Sequence, residues 1–552
     1  MDFLGQTRQR IDKAVGKDLA KYIEKPQKDG FGDFALPCFA LAKEMRKNPA
    51  EIAREIAEKT KIKDLTVKAV GPYVNFYIDW SSAAAGILKN VDENYGRSKI
   101  KEIVIMDVFQ ANPFKSFHVG HVKNAVLGES IRRILEHTGR KTIAVNFNGD
   151  VGIHVARWLL YYKQYHKGTI PKDNFTKWSG EIYAAASQKA KEDAEFEKEA
   201  QELNRKLDKR DKKIIVEWKK IRDLCYKDFD RIQTELEAKV DIRIPESECE
   251  KPGKNLIMKL FKQKKIIQSD GAIGIDLGAL GFFILLKSDG TALYSTKDFG
   301  LLQKKQKHKF DKMLYVIGSE QDFYLKQLFK AFDILGLYPE EKSIHISYGL
   351  VNLKEGKMAS RLGNVILYED LRDEAIERVT KEIEKRNANL KNKKEVAWKV
   401  GMGAIKFSML HTENRSETKF DWDEVLNFEG RSGPYLQYSY VRAVNILGKN
   451  KSSKRKAKTD YSLLKEDVEI RMIKHIAEFP HVVNDAAEKY EPYMIANYLF
   501  DFCQDFNSFY NSLPVLKAEA EIREARLALV DAVRMVLKIG MNLLGMDAPE
   551  EM

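Results

Sequence analysis

Two hydrophobic periods alternate along the chain, and their order sketches its architecture. Ile103-Val104-Ile105-Met106-Asp107-Val108 is a short, β-branched run of the kind that forms a buried strand. After it, Val119, Val122, Ala125, Val126, Ile131, Ile134 and Leu135 recur near helical spacing, and Gly139 supplies a stop. Thr142–Phe147 is strand-like again. Strand, helix, strand predicts a βαβ unit of the doubly wound kind, whose ligands bind beyond the carboxyl ends of the strands. The alternation resumes downstream, with two strands and Gly turns over Ile266–Lys287 and a helix over Lys297–Lys305. A strand at Met313–Ile317, a helix at Tyr324–Leu335 and a strand at Ile344–Gly349 follow, so the two halves are expected to build one sheet.

The flanks read differently. Residues 162–240 are charged and helix-favouring, with no glycine from Glu181 to Lys251. Their mixed signs predict mostly solvated helical faces, in an insertion that splits the nucleotide domain. Upstream lies a small α/β module. In it Asn48-Pro49-Ala50-Glu51 opens a helix through Ala57, and Val67–Val70 leads through Gly71-Pro72 into Tyr73–Ile78 as a hairpin. Phe31-Gly32-Asp33-Phe34 is read as a loop. Exposed aromatics and an Asn on this module could stack on and read an unstacked RNA base; packing is the alternative for each aromatic. From about 390 the chain is helical to its end. Met494, Ile495, Tyr498, Leu499, Phe502, Phe506, Phe509 and Tyr510 recur as a bundle core, not a cofactor site. The expected domains are 1–98, 99–390 with a helical insertion at about 162–240, and 391–552.

Composition narrows the class of protein. In 552 residues, 44% hydrophobic and 32% charged fits a soluble globular protein of several domains. The formal charge of +13 suits a nucleic-acid partner, with solvated lysine faces as the alternative. The four cysteines, Cys38, Cys225, Cys249 and Cys503, form no close pair, which excludes a disulfide framework and a thiolate zinc knuckle. Met1-Asp2-Phe3-Leu4-Gly5-Gln6 lacks the apolar core of a signal peptide, and the most apolar run, Gly278 to Leu286, is too short to span a bilayer. A reducing cytoplasm, with no membrane attachment, is expected.

Candidate chemistry gathers at two strand ends. Asn112-Pro113-Phe114-Lys115-Ser116-Phe117-His118-Val119-Gly120-His121 lies where a strand ends and a helix begins, a junction whose free N–H groups and dipole favour a phosphate. Gly120 would admit a ring or phosphate close to the backbone, and His118 and His121 could donate to phosphoryl oxygens. Surface histidines, core histidines or half a metal site are the alternatives. Asn148-Gly149-Asp150-Val151-Gly152 ends the next strand, where Asp150 could cap a helix or line the pocket. The strand at 344–349 runs into Asn352–Asn364, where Lys354, Lys357 and Arg361 on a glycine-flanked loop could close over a polyphosphate. No Walker-type loop occurs. A basic stretch, Lys449–Lys458, would suit RNA phosphates or remain a solvated loop.

Together these pieces resemble the class I aminoacyl-tRNA synthetases. His118-Val119-Gly120-His121 resembles their first signature, His-Ile-Gly-His, and Lys357-Met358-Ala359-Ser360-Arg361 their second, Lys-Met-Ser-Lys-Ser. Within the class, nearly the whole chain is similar to the arginyl-tRNA synthetases. Gly32-Asp33-Phe34-Ala35 and Gly71–Phe76 resemble their amino-terminal domain. Tyr294-Ser295-Thr296-Lys297-Asp298 resembles their Tyr-Leu-Thr-Arg-Asp stretch, and Gly318–Asp322 the strand end that follows. Gly433-Pro434-Tyr435-Leu436-Gln437-Tyr438 and Asp531-Ala532-Val533-Arg534 resemble their helical anticodon-binding domain. Ser360 departs from the second signature, which carries a lysine there. Many arginyl enzymes share that loss and carry a lysine three residues before the first histidine, where Lys115 stands. Ala111 replaces the usual Pro.

The resemblance implies an α/β doubly wound, Rossmann-like catalytic domain with a helical insertion, a small amino-terminal α/β domain contacting tRNA, and an all-α anticodon-binding domain. It implies ATP-dependent attachment of L-arginine to tRNA(Arg) through an arginyl adenylate, with Mg²⁺ accompanying ATP and no protein metal site. Catalytic roles fall to His118, His121, Lys115 and Lys357, and ATP contacts to His118, Gly120, His121, Lys357, Met358 and Arg361. Arginine contacts fall to Asn112, Glu246, Tyr294, Asp298 and Gln321, and tRNA contacts to Asn75, Tyr77, Tyr435 and Tyr438. The two acids would meet a planar five-donor guanidinium, with a helix cap or surface salt bridge as the alternative for each. A cytoplasmic monomer is expected. A catalytically silent tRNA-binding paralogue, another class I synthetase and a metal-dependent hydrolase using the two histidines are the competing readings.

Overall fold

The computed structural model describes residues 2–26, 30–353, 366–449 and 459–552. In the amino-terminal module β1 (Phe34–Pro37) and β2 (Leu65–Val70) flank β3 (Tyr73–Ile78), all antiparallel. The expected hairpin is present, with Gly71 in the left-handed region. Phe34, read as loop, begins β1 instead, because its backbone pairs with Phe76. Helix Pro49–Lys59 starts where expected, Asn48 accepting a hydrogen bond from Ala50 N at 2.9 Å.

The catalytic sheet holds five parallel strands: β4 (Ile103–Asp107), β5 (Lys141–Asn148), β6 (Ile242–Pro245), and, after a separate antiparallel sheet of β7 (Ile267–Ser269), β8 (Ala272–Asp276) and β9 (Phe282–Leu286), β10 (Lys312–Gly318) and β11 (Ser343–Tyr348). That small sheet has three strands where two were expected. The five-strand order is β11-β10-β4-β5-β6. The chain winds outward from β4 to β6 and then restarts on the other side, so the direction of winding reverses between β4 and β10. In such a sheet the crevice lies at the carboxyl ends of that pair. β4 is buried on both faces, as an interior parallel strand must be. Val104 and Met106 enter one core and Ile105 the other.

The charged stretch forms the helical insertion, lying in the crossover from β5 to β6. Helices Ile153–Tyr165, Phe175–Glu192, Ala194–Asp208 and Lys212–Leu236 bury Trp158, Phe175, Ile182 and Trp218 in a core shared with Phe114. The charges occupy outer faces; the apolar stripe beneath them, at three- and four-residue spacing, decides the packing.

Beyond β11 the chain makes β12 (Val351–Leu353), which pairs in parallel with β13 (Thr418–Phe420). Helices Tyr368–Arg386 and Lys393–Leu410 form a hairpin between them, and the boundary expected at 390 falls in its turn. Three long helices, Asp467–Lys489, Tyr493–Ser512 and Ala520–Leu543, then build the terminal bundle. Its core includes Tyr498, Leu499, Phe502, Phe506 and Phe509, whereas Tyr510 is exposed. Among the described residues no helix is long and apolar enough to cross a membrane.

Candidate active site

The loop after β4 is pinned by three phenylalanines that point into two cores. Phe109 and Phe114 both adopt left-handed backbone, at φ 55° and 68°. Such strain persists only where surrounding contacts over-determine it. Phe109 and Phe117 pack together at 5.1 Å and meet Phe229, while Phe114 turns the other way onto Trp158 at 5.4 Å. Helix Phe175–Glu192 presses on the same loop at Gly180, where any Cβ would collide with Ser116. Asn124 completes the clamp across the reversal point. Its side chain accepts from Gln110 N at 2.9 Å and donates to Val316 O at 2.6 Å, tying the β4 loop to β10.

This clamp sets the two histidines. His118 is the N-cap of helix Val119–His137, and its Nδ1 accepts from Gly120 N at 3.2 Å. His121 Nδ1 accepts from His118 N at 3.2 Å, closing a capping box made of two imidazoles. The rings lie 3.8 Å apart. Because each Nδ1 accepts, each neutral ring carries its proton on Nε2 and offers that N–H as a donor. Burial and the nearby Lys115 ammonium lower His118 to about 4. Burial, with His118 and Lys115 adding to it, holds His121 well below the usual histidine range. Among the described residues no group of three His, Cys, Asp or Glu side chains is arranged to hold a metal ion.

The second half of the site lies across β5 and β6. Asn112 Oδ1 accepts from Gly149 N at 2.6 Å, and a Cβ on Gly149 would sit 2.8 Å from Glu246 Oε2. A side chain at Gly149 would require the Glu246 carboxylate to shift. Glu246, just after β6, is buried and ion-paired with Lys297. Asp150 neither caps the next helix, whose N-cap is Gly152, nor opens to the crevice. It is buried and accepts from Ser247 N at 2.9 Å and Ser247 Oγ at 2.8 Å, binding β5 to the turn that carries Glu246.

Asp298 projects from helix Tyr294–Lys305, buried, and accepts a hydrogen bond from the Tyr324 hydroxyl. A cap is excluded, since Leu293 holds that position; the helix begins one turn earlier than expected, with Leu293 N donating to Thr296 Oγ1 at 2.8 Å. Two groups at this point were not anticipated. Asp107, the last residue of β4, meets Lys305 at 2.6 Å, both almost fully buried, with the ammonium 3.9 Å from the centre of the Tyr315 ring. Three carboxylates, Asp107, Glu246 and Asp298, thus share the site with two ammonium groups, Lys297 and Lys305. Among the described residues one negative charge is left over. Burial pushes Asp298 up to about 7, with Tyr324 opposing and the other two acids contributing.

Other expected residues are placed as follows. Lys115 is half-buried with its Nζ 5.4 Å from the centre of the Tyr183 ring. Tyr294 is 75% exposed, 5.9 Å from the Lys297 ammonium, and Gln321 is exposed at the carboxyl end of β10. Lys357, Met358 and Arg361 lie outside the described residues. Asn75 is buried, and its Nδ2 has no hydrogen-bond partner among the described residues; as placed, it is not presented to solvent. Tyr77 is partly exposed, its hydroxyl donating to Gly30 O at 3.3 Å. Tyr435 is half-buried, its hydroxyl accepting from Asn507 at 2.8 Å. Tyr438 is exposed and lines a groove of about 540 Å³ with Arg442, Lys449, Tyr510, Lys517 and Met552. A further histidine was missed: His154, in the first turn of helix Ile153–Tyr165, has its Nε2 buried without a partner among the described residues. Its position two residues beyond Gly152, at the edge of β5, was the available signal.

A parallel sheet whose reversal point carries a histidine-capped helix defines the catalytic core of a class I aminoacyl-tRNA synthetase, and the comparisons agree. The model of the class I (R) tRNA synthetase catalytic domain matches residues 85–422. Models of the arginyl-tRNA synthetase N-terminal domain and the DALR anticodon-binding domain match 5–78 and 436–552. The chain is 34% identical to the arginine–tRNA ligase of Clostridium acetobutylicum, over 100% of both chains. It is 37% identical to that of Lactococcus lactis subsp. cremoris over 98% of each. The arginyl-tRNA synthetase of Thermus thermophilus superposes with a TM-score of 0.85 at 26% identity, covering 99% of this chain and 100% of that one. The chain belongs to the arginyl-tRNA synthetase family.

The imidazole geometry has a direct check. In the ligand-free protein, a nitrogen-detected NMR titration should show Nε2-protonated rings for His118 and His121, with His118 titrating at about 4. Midpoints near the ordinary histidine value, or Nδ1 tautomers, would contradict the double cap.

Proposed function

We infer that this protein attaches L-arginine to its cognate tRNA at the expense of ATP, through an arginyl adenylate, releasing AMP and pyrophosphate. The observation that carries the reading is the negative charge left uncompensated among the described residues where β4 and β6 end, in a chain of this family.

In the first step the arginine carboxylate attacks the α-phosphorus of MgATP and pyrophosphate departs; the magnesium enters with the nucleotide, held by phosphate oxygens and water. No protein nucleophile is needed, so positioning and charge stabilisation dominate. His118 and His121 meet the α-phosphate with their Nε2–H groups as neutral donors, which costs no proton transfer. Lys115 and Lys357 supply positive charge to the pentacoordinate phosphorus, with Arg361 beside them. Gly120 and Met358 belong to the nucleotide's surroundings.

Arginine's guanidinium takes the place of the missing cation. Asp298 and Glu246 receive it, Lys297 withdrawing from Glu246 as it enters. Tyr294 folds over the substrate, and Asn112 and Gln321 hold its amino-acid end. Lysine cannot reproduce the five-donor fork, so polar recognition discriminates without an editing domain. In the second step the terminal ribose hydroxyl of the tRNA attacks the adenylate carbonyl. The amino-terminal module, through Asn75 and Tyr77, and the groove at Tyr438, with Tyr435 behind it, contact the tRNA. Turning Asn75 outward is part of that binding. The protein works in the cytoplasm as a monomer.

Charging the cognate tRNA with each amino acid in turn tests the function: arginine alone should be esterified. Charging of another amino acid, or binding of tRNA without charging in the presence of MgATP, would overturn it. The pocket makes a separate prediction. Asp298 must be ionised to pair with a guanidinium, and its carboxyl titrates at about 7 in the empty site. Arginine binding at lower pH therefore expels a proton, and affinity should fall about fivefold from pH 7 to pH 6 and about tenfold for each further unit below that. Calorimetry in two buffers of different ionisation enthalpy reads the released proton. Asp298→Asn should weaken arginine binding about 100-fold and abolish the proton release.

A further inference from the structure

The helix that carries His118 and His121 also carries a buried cation the chemistry above does not use. Lys123 is 1% exposed, yet among the described residues no carboxylate lies within ion-pair distance of its ammonium. Its Nζ donates to Thr418 Oγ1 at 2.7 Å and to Ser416 O at 3.3 Å. Glu491 and His411 are titratable groups that face it; burial lowers the Lys123 ammonium to about 8, with Glu491 favouring the charged form. Burying an ammonium against neutral oxygens is costly, and lysine stems are long enough to reach solvent instead. Such a group marks a contact whose geometry is worth its desolvation.

What Lys123 holds is the strand beside β12. Thr418 begins β13, which pairs with β12 through Val351 and Thr418, Asn352 and Lys419, and Leu353 and Phe420. The pairing continues backward, with Gly349 N donating to Asn414 O at 2.9 Å and Thr418 N to Leu350 O at 2.9 Å. In the sequence, Lys357 follows four residues after β12. The chain is next described at Ile366–Tyr368, and there it is bonded to the same helix start: Val119 N donates to Ile366 O at 2.9 Å, and Tyr368 N to Phe117 O at 3.0 Å. Both described flanks of the second signature are therefore referred to one rigid object, the first turns of helix Val119–His137. The returning flank is tied by backbone and the departing flank by Lys123. The element that Lys123 grips also reaches the terminal bundle. Asn414 N donates to Glu491 Oε2 at 3.1 Å and Asn414 Nδ2 to Tyr490 O at 2.8 Å, at the junction of its first two long helices.

We propose that Lys123 is a positioning residue for ATP-dependent charging: through Thr418 and Ser416 it fixes β13, and with it β12, against the helix that bears the two histidines. It touches no substrate. Its contribution is to hold the strand leading to Lys357 at a set distance from His118 and His121. Because the same segment is bonded at Tyr490 and Glu491, it also gives the tRNA-binding bundle a mechanical path to that strand. The proposal rests on the function inferred above.

The test uses the full-length protein with Lys123→Met, and the pair Thr418→Val and Thr418→Ser. Valine keeps the shape of threonine and removes the acceptor, whereas serine keeps the acceptor. Active sites are counted by a single-turnover burst, so that rates refer to folded enzyme. The expected result is a kcat for charging lowered about tenfold or more by Lys123→Met and Thr418→Val, with KM for arginine within about twofold of wild type, and kcat restored by Thr418→Ser. Should Lys123→Met fail to fold, the threonine pair decides alone. A kcat per active site within about twofold of wild type in both, or Thr418→Ser as slow as Thr418→Val, would overturn the proposal. Failure of the function itself looks different, since wild type would then charge no arginine.

Discussion

An unbalanced charge in a buried place is the constraint on which the rest of this site depends. Asp107, Glu246 and Asp298 are all nearly closed off from water, and among the described residues Lys297 and Lys305 balance two of the three. A buried carboxylate without a partner is expensive, and it either binds a cation or takes up a proton. In the empty site the second outcome is visible in Asp298, raised toward neutrality by burial. A pocket built this way is destabilised without its ligand. That makes the incoming cation's charge and shape count heavily, since a poorly matched group leaves a buried acid unpaired.

The sheet topology exists, functionally, to bring these charges beside the phosphate-handling end. Asp107 ends β4, Glu246 follows β6, and the loop from β4 carries Asn112, Lys115 and His118 within one excursion. Asn112, Gly149 and Glu246 are packed so closely that a side chain at the middle position would displace the Glu246 carboxylate. Asp150 then locks the β6 turn from behind. At the other end the histidines use their Nδ1 atoms to cap a helix, which in the proposed reaction leaves their Nε2–H groups for the substrate. Structure and chemistry use opposite sides of the same rings. Rigidity here is purposeful, because a donor aimed at a developing charge helps only if it need not reorganise.

Much of this was legible in the sequence, for physical reasons that can be named. Parallel strands buried on both faces must be continuous apolar runs, so β4, β5, β10 and β11 stand out. The histidine signature sits at a strand-to-helix junction that pattern alone locates. The insertion was legible as helices with solvated charged faces, but the narrow stripe of Trp218, Ile221, Cys225, Phe229 and Ile232 that packs one of them was hidden because charge dominates the composition. Asp107 and Lys305 were invisible for a different reason. One looks like a polar strand end and the other like a basic residue closing a helix, and only the three-dimensional pairing of distant segments makes them a buried ion pair. Asp150 likewise looked like a helix cap because the sequence cannot show that Ser247 lies beside it.

The most direct test of the charge-deficit account is a crystal structure of the protein with arginine bound. The account predicts the guanidinium within about 3 Å of the Asp298 carboxylate, with Lys297 displaced from Glu246 and the α-carboxylate turned toward His118 and His121. A guanidinium bound elsewhere, with Lys297 still paired to Glu246 and Asp298 still held only by Tyr324, would contradict it.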